Sequence, residues 1–328
     1  MPTTVLRRTL DLAGLDVPVV EVTGASDGPR LTVIAGVHGC EYASMAAVRQ
    51  WSASLASRDL RGSVRAVPVL NLPAFRARSP FVIPEDGKNL NRCFPGDAGG
   101  TLADRLANAT FTQLVTGSDA LIDAHCGDLP EALEPFALYE AGPSEDQALA
   151  LAIAYGLGYI IRQQAGPDRA VAGTTSAAAA EVGIPAITAE AGGCGLIEQK
   201  AVDLHVAGLD RVLAALGMLG EPTAGLDAAG TDAAGTAAAA LRSNGHGPAE
   251  PTVLSRFIWL RCDEAGWWQP AVRPGDTVAE GQLLGTVSTL DGGQVLQSIT
   301  APTAGVPMFI TSSPAVEADG LLLGLGAR

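Results

Sequence analysis

Apolar positions along this chain fall into short runs that switch between two periods. "RLTVIAGV" (Arg30 to Val37) is apolar at consecutive positions, the pattern of a strand buried on both faces. "EYASMAAVRQWSASLAS" follows with helical spacing, which predicts a helix turning Met45, Val48 and Trp51 toward the core. "GSVRAVPVLN" predicts a second strand leading to Asn71, "DALIDAHCGD" a third ending in a histidine, and "IPAITAEAGG" a fourth. "TLADRLANATFTQLV" predicts a helix with Thr101 as N-cap and Asp104 in its first turn. "EDQALALAIAYGLG" and "TTSAAAAEVG" predict two more helices. Strands alternating with helices predict an α/β fold, a mostly parallel mixed sheet flanked by helices.

After Leu219 the pattern fades into "EPTAGLDAAGTDAAGTAAAALRSNGHGPAE", rich in Ala, Gly and Thr; its "AAGTAAAALRS" alone has helical character. From Thr252 short strands broken by Gly and Pro predict a small β domain, a barrel or sandwich. The expected division is therefore a catalytic-sized unit over 1–220, a linker over 221–251 and the β domain over 252–328. Within the last, "RPGDTVAEGQLLGTV" and "APTAGV" resemble biotinyl and lipoyl carrier domains. Such carriers need a lysine at a hairpin tip, and no lysine occurs after Lys200. A covalent carrier role is thereby excluded. A rim over an active site is the expectation instead, with Trp267 or Trp268 facing it.

Composition narrows the classes. Of 328 residues, 47% are hydrophobic and 17% charged, enough apolar material for a large core and too little charge for a disordered chain. The formal net charge of −14 argues against nucleic-acid binding and against docking on an anionic membrane. No uninterrupted apolar run reaches the roughly 18 residues of a membrane span. The N-terminal stretch lacks a secretory pattern, and five scattered cysteines without a CxxC pair fit a reduced, cytoplasmic protein.

Candidate chemistry gathers at strand ends, where open parallel sheets bind ligands. His38 with Glu41, Asn71, Asp123 with His125, and Glu190 all fall there. Unpartnered buried charges cost several kcal/mol, so such groups are expected to converge. Two histidines and a carboxylate, with a fourth position for water, is a catalytic zinc pattern. Asp123 shares a face with His125 and could orient it. Asn71 reads as a structural cap on the turn before Pro73. Cys126 follows His125 and should point to the opposite face, so thiolate ligation is not the reading. His205 and His246 carry no specific signal.

Five motifs in order, "GVHGCE", "NLPAF", "DGKNLNRCFPG", "DAHCGD" and "ITAEAGG", resemble the succinylglutamate desuccinylase/aspartoacylase family over roughly Leu31 to Leu219. The resemblance implies a zinc-carboxypeptidase-like fold with one zinc per chain held by His38, Glu41 and His125. It implies Glu190 as general base and Asn91 with Arg92 as holders of a substrate carboxylate. Family members often carry a further arginine before "NLNR" that polarises the scissile carbonyl. Pro80 falls in that slot here, leaving Arg78, with Arg76 beside it, as the candidate.

The expected function is zinc-dependent cleavage of the acyl–nitrogen bond of a small N-acylated amino acid, with oligomeric state open, homo-oligomers included. Two rivals stand beside it. One is a zinc carboxypeptidase acting on peptides, against which a covering β domain argues. The other is a non-catalytic binding protein of the same fold, against which the intact histidines and glutamates argue.

Overall fold

The buried runs of the sequence form the middle of one large sheet. The computed structural model describes residues 3–164, 172–219 and 250–328; the expected linker, the helical reading within it and His246 lie outside these, apart from residues 250 and 251. In chain order the strands are β1 (Thr4–Leu12), β2 (Leu15–Thr23), β3 (Ser26–Ala35), β4 (Arg61–Val67), β5 (Ala120–His125), β6 (Glu131–Leu133), β7 (Phe136–Glu140), β8 (Tyr159–Gln163), β9 (Ala186–Glu190) and β10 (Thr252–Leu254). The helices are α1 (Tyr42–Ser54), α2 (Leu72–Ala77), α3 (Leu102–Thr110), α4 (Glu145–Tyr155), α5 (Thr175–Glu181) and α6 (Gln199–Ala215). Among the described residues the large sheet runs β1-β2-β4-β3-β5-β9-β7-β8-β10. Its centre, β4-β3-β5-β9, is parallel, while β2 joins β4 and β7 joins β9 antiparallel, so the sheet is mixed as expected.

Helices cover both faces. On one, α1 packs beside α6, and Trp51 and Tyr155 are fully buried with Leu209 and Val212. Trp51 Nε1 donates to Asp210 at 2.8 Å, so the bulky indole is buried with its polar atom satisfied. On the other face Leu106, Phe111 and Ala178 pack against Ile34, Val67 and Leu121. The Thr101 amide donates to Asp104 Oδ2 at 2.9 Å, the capped start read from the sequence for α3.

The C-terminal lobe adds β11 (Arg256–Arg261), β12 (Gly266–Pro270), β13 (Leu283–Ser288), β14 (Val295–Thr300), β15 (Val306–Thr311), β16 (Ala315–Val316) and β17 (Leu321–Ala327). Joined by β6, they form two four-stranded sheets among the described residues, β11-β17-β15-β6 and β14-β13-β12-β16, closed over Trp268, Leu284, Leu322 and Leu323. The two lobes exchange strands. β6 lies early in the chain yet pairs with β15, while β10 comes late and completes the large sheet beside β8. Within the described residues no helix is long and apolar enough to cross a membrane.

Candidate active site

His38 is placed by the two glycines around it. Gly36, at φ +69°, turns the chain out of β3, a conformation that glycine adopts without strain. Gly39 lies so close to α2 that a Cβ there would sit 2.3 Å from the Ala74 carbonyl carbon. The loop is pinned by Asn71, which is fully buried, caps α2 through the Ala74 amide (3.1 Å) and donates Nδ2 to the Val37 carbonyl (3.0 Å). Its structural reading from the sequence therefore extends to holding the histidine loop. Asn71→Ala removes the cap and strands the Val37 carbonyl, for an expected loss of about 1–3 kcal/mol. Affinity for a metal that His38 helps to hold should weaken with it. Denaturant unfolding and chelator competition measure the two, and a variant unchanged in both would refute the pinning role.

His38, Glu41 and His125 are each buried, and one ligand atom from each lies within 4.8 Å of the others. Glu41 Oε1 sits 2.5 Å from His38 Nδ1 and Oε2 sits 2.9 Å from His125 Nδ1. The opposite ring nitrogens are also engaged. His38 Nε2 lies 3.0 Å from Asn89 Oδ1, which can only accept, and His125 Nε2 lies 3.1 Å from Asp123 Oδ1, off the ideal hydrogen-bond line. With protons on Nε2, both Nδ1 atoms turn lone pairs toward a carboxylate. Bare nitrogen against bare carboxylate oxygen requires a cation or a proton between them. Against the upward push of burial, the two imidazoles hold Glu41 down to about 2. Burial lowers His125, but Asp123 and Glu41 raise it well above its ordinary value. The set thus fits a divalent metal in donor type, charge and spacing, and zinc among metals suits imidazole with carboxylate.

Glu190 closes β9 in register with His125 on β5. Burial, reinforced by Glu41 and Glu131 against the pull of His125, pushes its carboxyl up to about 8. Both line a cavity of about 590 Å³ that is shared with Asn89, Asn91, Arg92 and Glu131. Asn91 is buried and accepts from the Thr175 amide at 3.2 Å, which fixes the "NLNR" turn against α5. Arg92 donates Nη1 to the Asn91 carbonyl (2.7 Å), stays exposed, and is the cavity's one Lys or Arg among the described residues.

Arg78 is not brought to this cavity. It is exposed, at φ +54° on the C-cap of α2, and lies outside the lining. The indole in the wall is also a different one. Trp268 is buried in the C-terminal core, donating to the Thr311 carbonyl at 3.0 Å, and Trp267 is 45% exposed, whereas Trp259 on β11 lines the cavity. The two neighbours on β12 face opposite ways, one into the core of the C-terminal lobe and one to solvent, and neither lines the cavity.

Two residues of the site escaped the sequence. Asn89 joins the histidine to the "NLNR" turn, accepting from both His38 and the Asn91 amide (2.9 Å). An Asn two positions before a turn residue is the local signal that could have found it. Glu131 is half-buried, with its carboxyl pushed up to about 7 by burial, and one of its oxygens accepts the Asp128 amide at 3.1 Å. It opens β6, a strand too short to announce itself. His205, read as silent, is fully buried between Tyr155 Oη (2.7 Å) and the Ala191 carbonyl (3.2 Å), tying α4 and α6 to the end of β9.

Comparison with known proteins bears on the family and the fold. Residues 27–216 match the family model described as the succinylglutamate desuccinylase/aspartoacylase catalytic domain. The chain is 31% identical over 276 residues to the N-alpha-acetyl-L-2,4-diaminobutyric acid deacetylase of Halomonas elongata, covering 82% of this chain and 73% of that protein. The fold matches the product-bound ectoine utilization protein EutE (DoeB) of Ruegeria pomeroyi, with a TM-score of 0.80 at 23% identity over 99% of this chain and 95% of that one. It also matches a succinylglutamate desuccinylase/aspartoacylase from Rhodobacter sphaeroides, with a TM-score of 0.79 at 21% identity and the same coverage.

Proposed function

This chain belongs to the succinylglutamate desuccinylase/aspartoacylase family, and from that premise we propose that it is a zinc-dependent deacylase of small N-acylated amino acids. The observation that carries the reading is the convergence of His38, Glu41 and His125 on one cavity with Glu190 and Arg92. When bound by the three side chains, zinc supplies a Lewis acid for the scissile carbonyl and favours ionisation of water. Glu190, beside His125, takes the proton of the attacking water on its carboxylate and returns it to the leaving nitrogen. Asp123 and Asn89 hold the two imidazoles in the tautomer that leaves Nδ1 free. Among the described residues Arg92 alone of the arginines lines the cavity, and Arg78 does not; a metal held by His38, Glu41 and His125 would itself polarise the carbonyl.

Arg92 and Asn91 take the α-carboxylate of the substrate. A bidentate pair with a guanidinium is worth about 1.5–3 kcal/mol, and a lysine cannot form the fork. Arg92→Lys should therefore lower kcat/KM nearly as far as Arg92→Ala. Wild type should prefer an N-acyl amino acid to its methyl ester by about ten- to a hundredfold. Steady-state kinetics on acid and ester forms checks both, and an enzyme indifferent to the ester would remove Arg92 from this role.

For the amine half, the Halomonas relative supplies a precedent in an amino acid with a second amino group. Once Glu41 is committed to the metal, Glu131 and Glu317 remain in the lining as carboxyls able to meet a second amino group. The deciding assay incubates zinc-loaded protein with acetyl, formyl and succinyl derivatives of L-2,4-diaminobutyrate, L-aspartate and L-glutamate, beside short peptides. Release of free amine from the first group supports the deacylase; cleavage of peptides alone supports the carboxypeptidase; neither supports a binding protein.

A further inference from the structure

The acyl half of the substrate is where the cavity departs from what an acetyl group needs. Across the sheet, His125, Glu190 and Phe136 stand in one row, on β5, β9 and β7. Beyond Glu190, away from the histidines, the row leads into an aromatic wall. Phe136 lies 5.8 Å from Phe257, Phe257 lies 5.9 Å from Phe309, and Trp259 lies 5.6 Å from Phe309, all edge to face. Phe136 and Phe309 are buried, but Phe257 and Trp259 are only half-buried and all four line the cavity. Rings packed on one side and open on the other are unfinished core. Leu138 extends the same apolar surface.

The volume points the same way. At about 590 Å³ the cavity lies within the range of roughly 300–1,000 Å³ that takes drug-sized ligands, far more than an acetyl group fills. The polar groups that would hold the amino acid, Asn91 and Arg92, come from the catalytic lobe. The two open aromatic rings, Phe257 and Trp259, both come from β11 of the C-terminal lobe.

We propose that the Phe136–Phe257–Trp259–Phe309 wall is an acyl subsite, and that this enzyme favours N-acyl amino acids whose acyl group is an apolar chain longer than acetyl. The inference rests on the deacylase reading and deepens it. Chain extension buries methylenes against the rings, and each buried methylene is worth roughly a threefold gain in kcat/KM. Lengthening from acetyl to hexanoyl should thus raise it by roughly a hundredfold.

The test uses zinc-loaded protein and an N-acyl-L-alanine series of acetyl, butyryl, hexanoyl and octanoyl, which holds the amine half small and constant. Two measurements are made: kcat/KM with wild type, and Kd by calorimetry with Glu190→Gln. The expected result is a rise with chain length in both. Trp259→Ala should cut the hexanoyl-to-acetyl ratio at least tenfold. Leu138→Phe, which fills the subsite instead of emptying it, should do the same and guards against a misfolded Trp259 variant. A fall in both kcat/KM and Kd-derived affinity with each added methylene overturns the subsite. So does a ratio untouched by both substitutions. If no member of the series is hydrolysed, the deacylase reading fails for these substrates, and the binding arm alone still decides whether the wall receives an apolar chain.

Discussion

Replacing His125 with alanine is expected to strip zinc from the protein and take turnover below detection. His125 gives Nδ1 to the cluster and is fixed from behind by Asp123, which is completely buried. A catalytic zinc held by three protein ligands does not tolerate the loss of one. The substitution also leaves Asp123 as a buried carboxylate without a counter-charge, and such losses cost about 3–5 kcal/mol. Lower stability alone could then mimic lost zinc. His38→Ala separates the two, because its partner Asn89 is neutral and can turn to water. His205→Asn serves as the contrast: its ring hydrogen-bonds Tyr155 and the Ala191 carbonyl, so that variant should lose stability and keep metal. Elemental analysis of dialysed protein gives the answer. About one zinc per wild-type chain and almost none in His38→Ala and His125→Ala is expected, and full occupancy in both variants would sink the assigned site.

Glu190→Gln is expected to retain fold and zinc while kcat falls by roughly 10²–10⁴-fold. The isosteric amide keeps the shape of the β9 terminus but can neither accept nor return a proton. The wild-type pH profile should carry its signature. A carboxyl pushed up by burial holds its proton to higher pH, so activity rises with pH as Glu190 ionises. A divalent cation at the neighbouring cluster favours the charged form, so that ionisation falls below the value of about 8 found without one. In Glu190→Gln the rise should disappear from the residual activity. Loss of zinc in this variant, or kcat within a few-fold of wild type, would contradict the proton-transfer role.

How much of this was readable in advance depended on burial. The second half of β3 and nearly all of β5 and β9 are buried, so their apolar runs were legible; His125 and Glu190 end two of them, and His38 follows the end of the third. The β1–β2 hairpin escaped notice because "TVLRRTLDL" is mostly exposed and mixes charges into the strand; its Ala13–Gly14 turn, with φ of +61° and +81°, was the available signal. β6 and β10 have three residues each and exist only through partners more than ninety positions away in sequence. β10 was read as a strand from Thr252 but given to the β domain, because no local pattern says which sheet it joins; β6 was missed altogether, and Glu131 with it. Arg78 failed for another reason. It was assigned by distance along the chain from "NLNR", and the left-handed cap on α2 turns the backbone there out to solvent.

The exchange of β6 and β10 between the lobes bears on how such a protein can be inherited. Three residue pairs stitch β6 to β15, and three stitch β10 to β8. A gene fragment ending ahead of residue 250 would bare the edge of β8 and leave β6 without the sheet that makes it a strand. Since β6 begins at Glu131 and β15 carries Phe309, the same cut would open the active-site wall. The C-terminal lobe is therefore no detachable cassette. Shuffling it between relatives would demand matched backbone edges on both sides of two seams, so the lobes must diversify together, and substrate range with them.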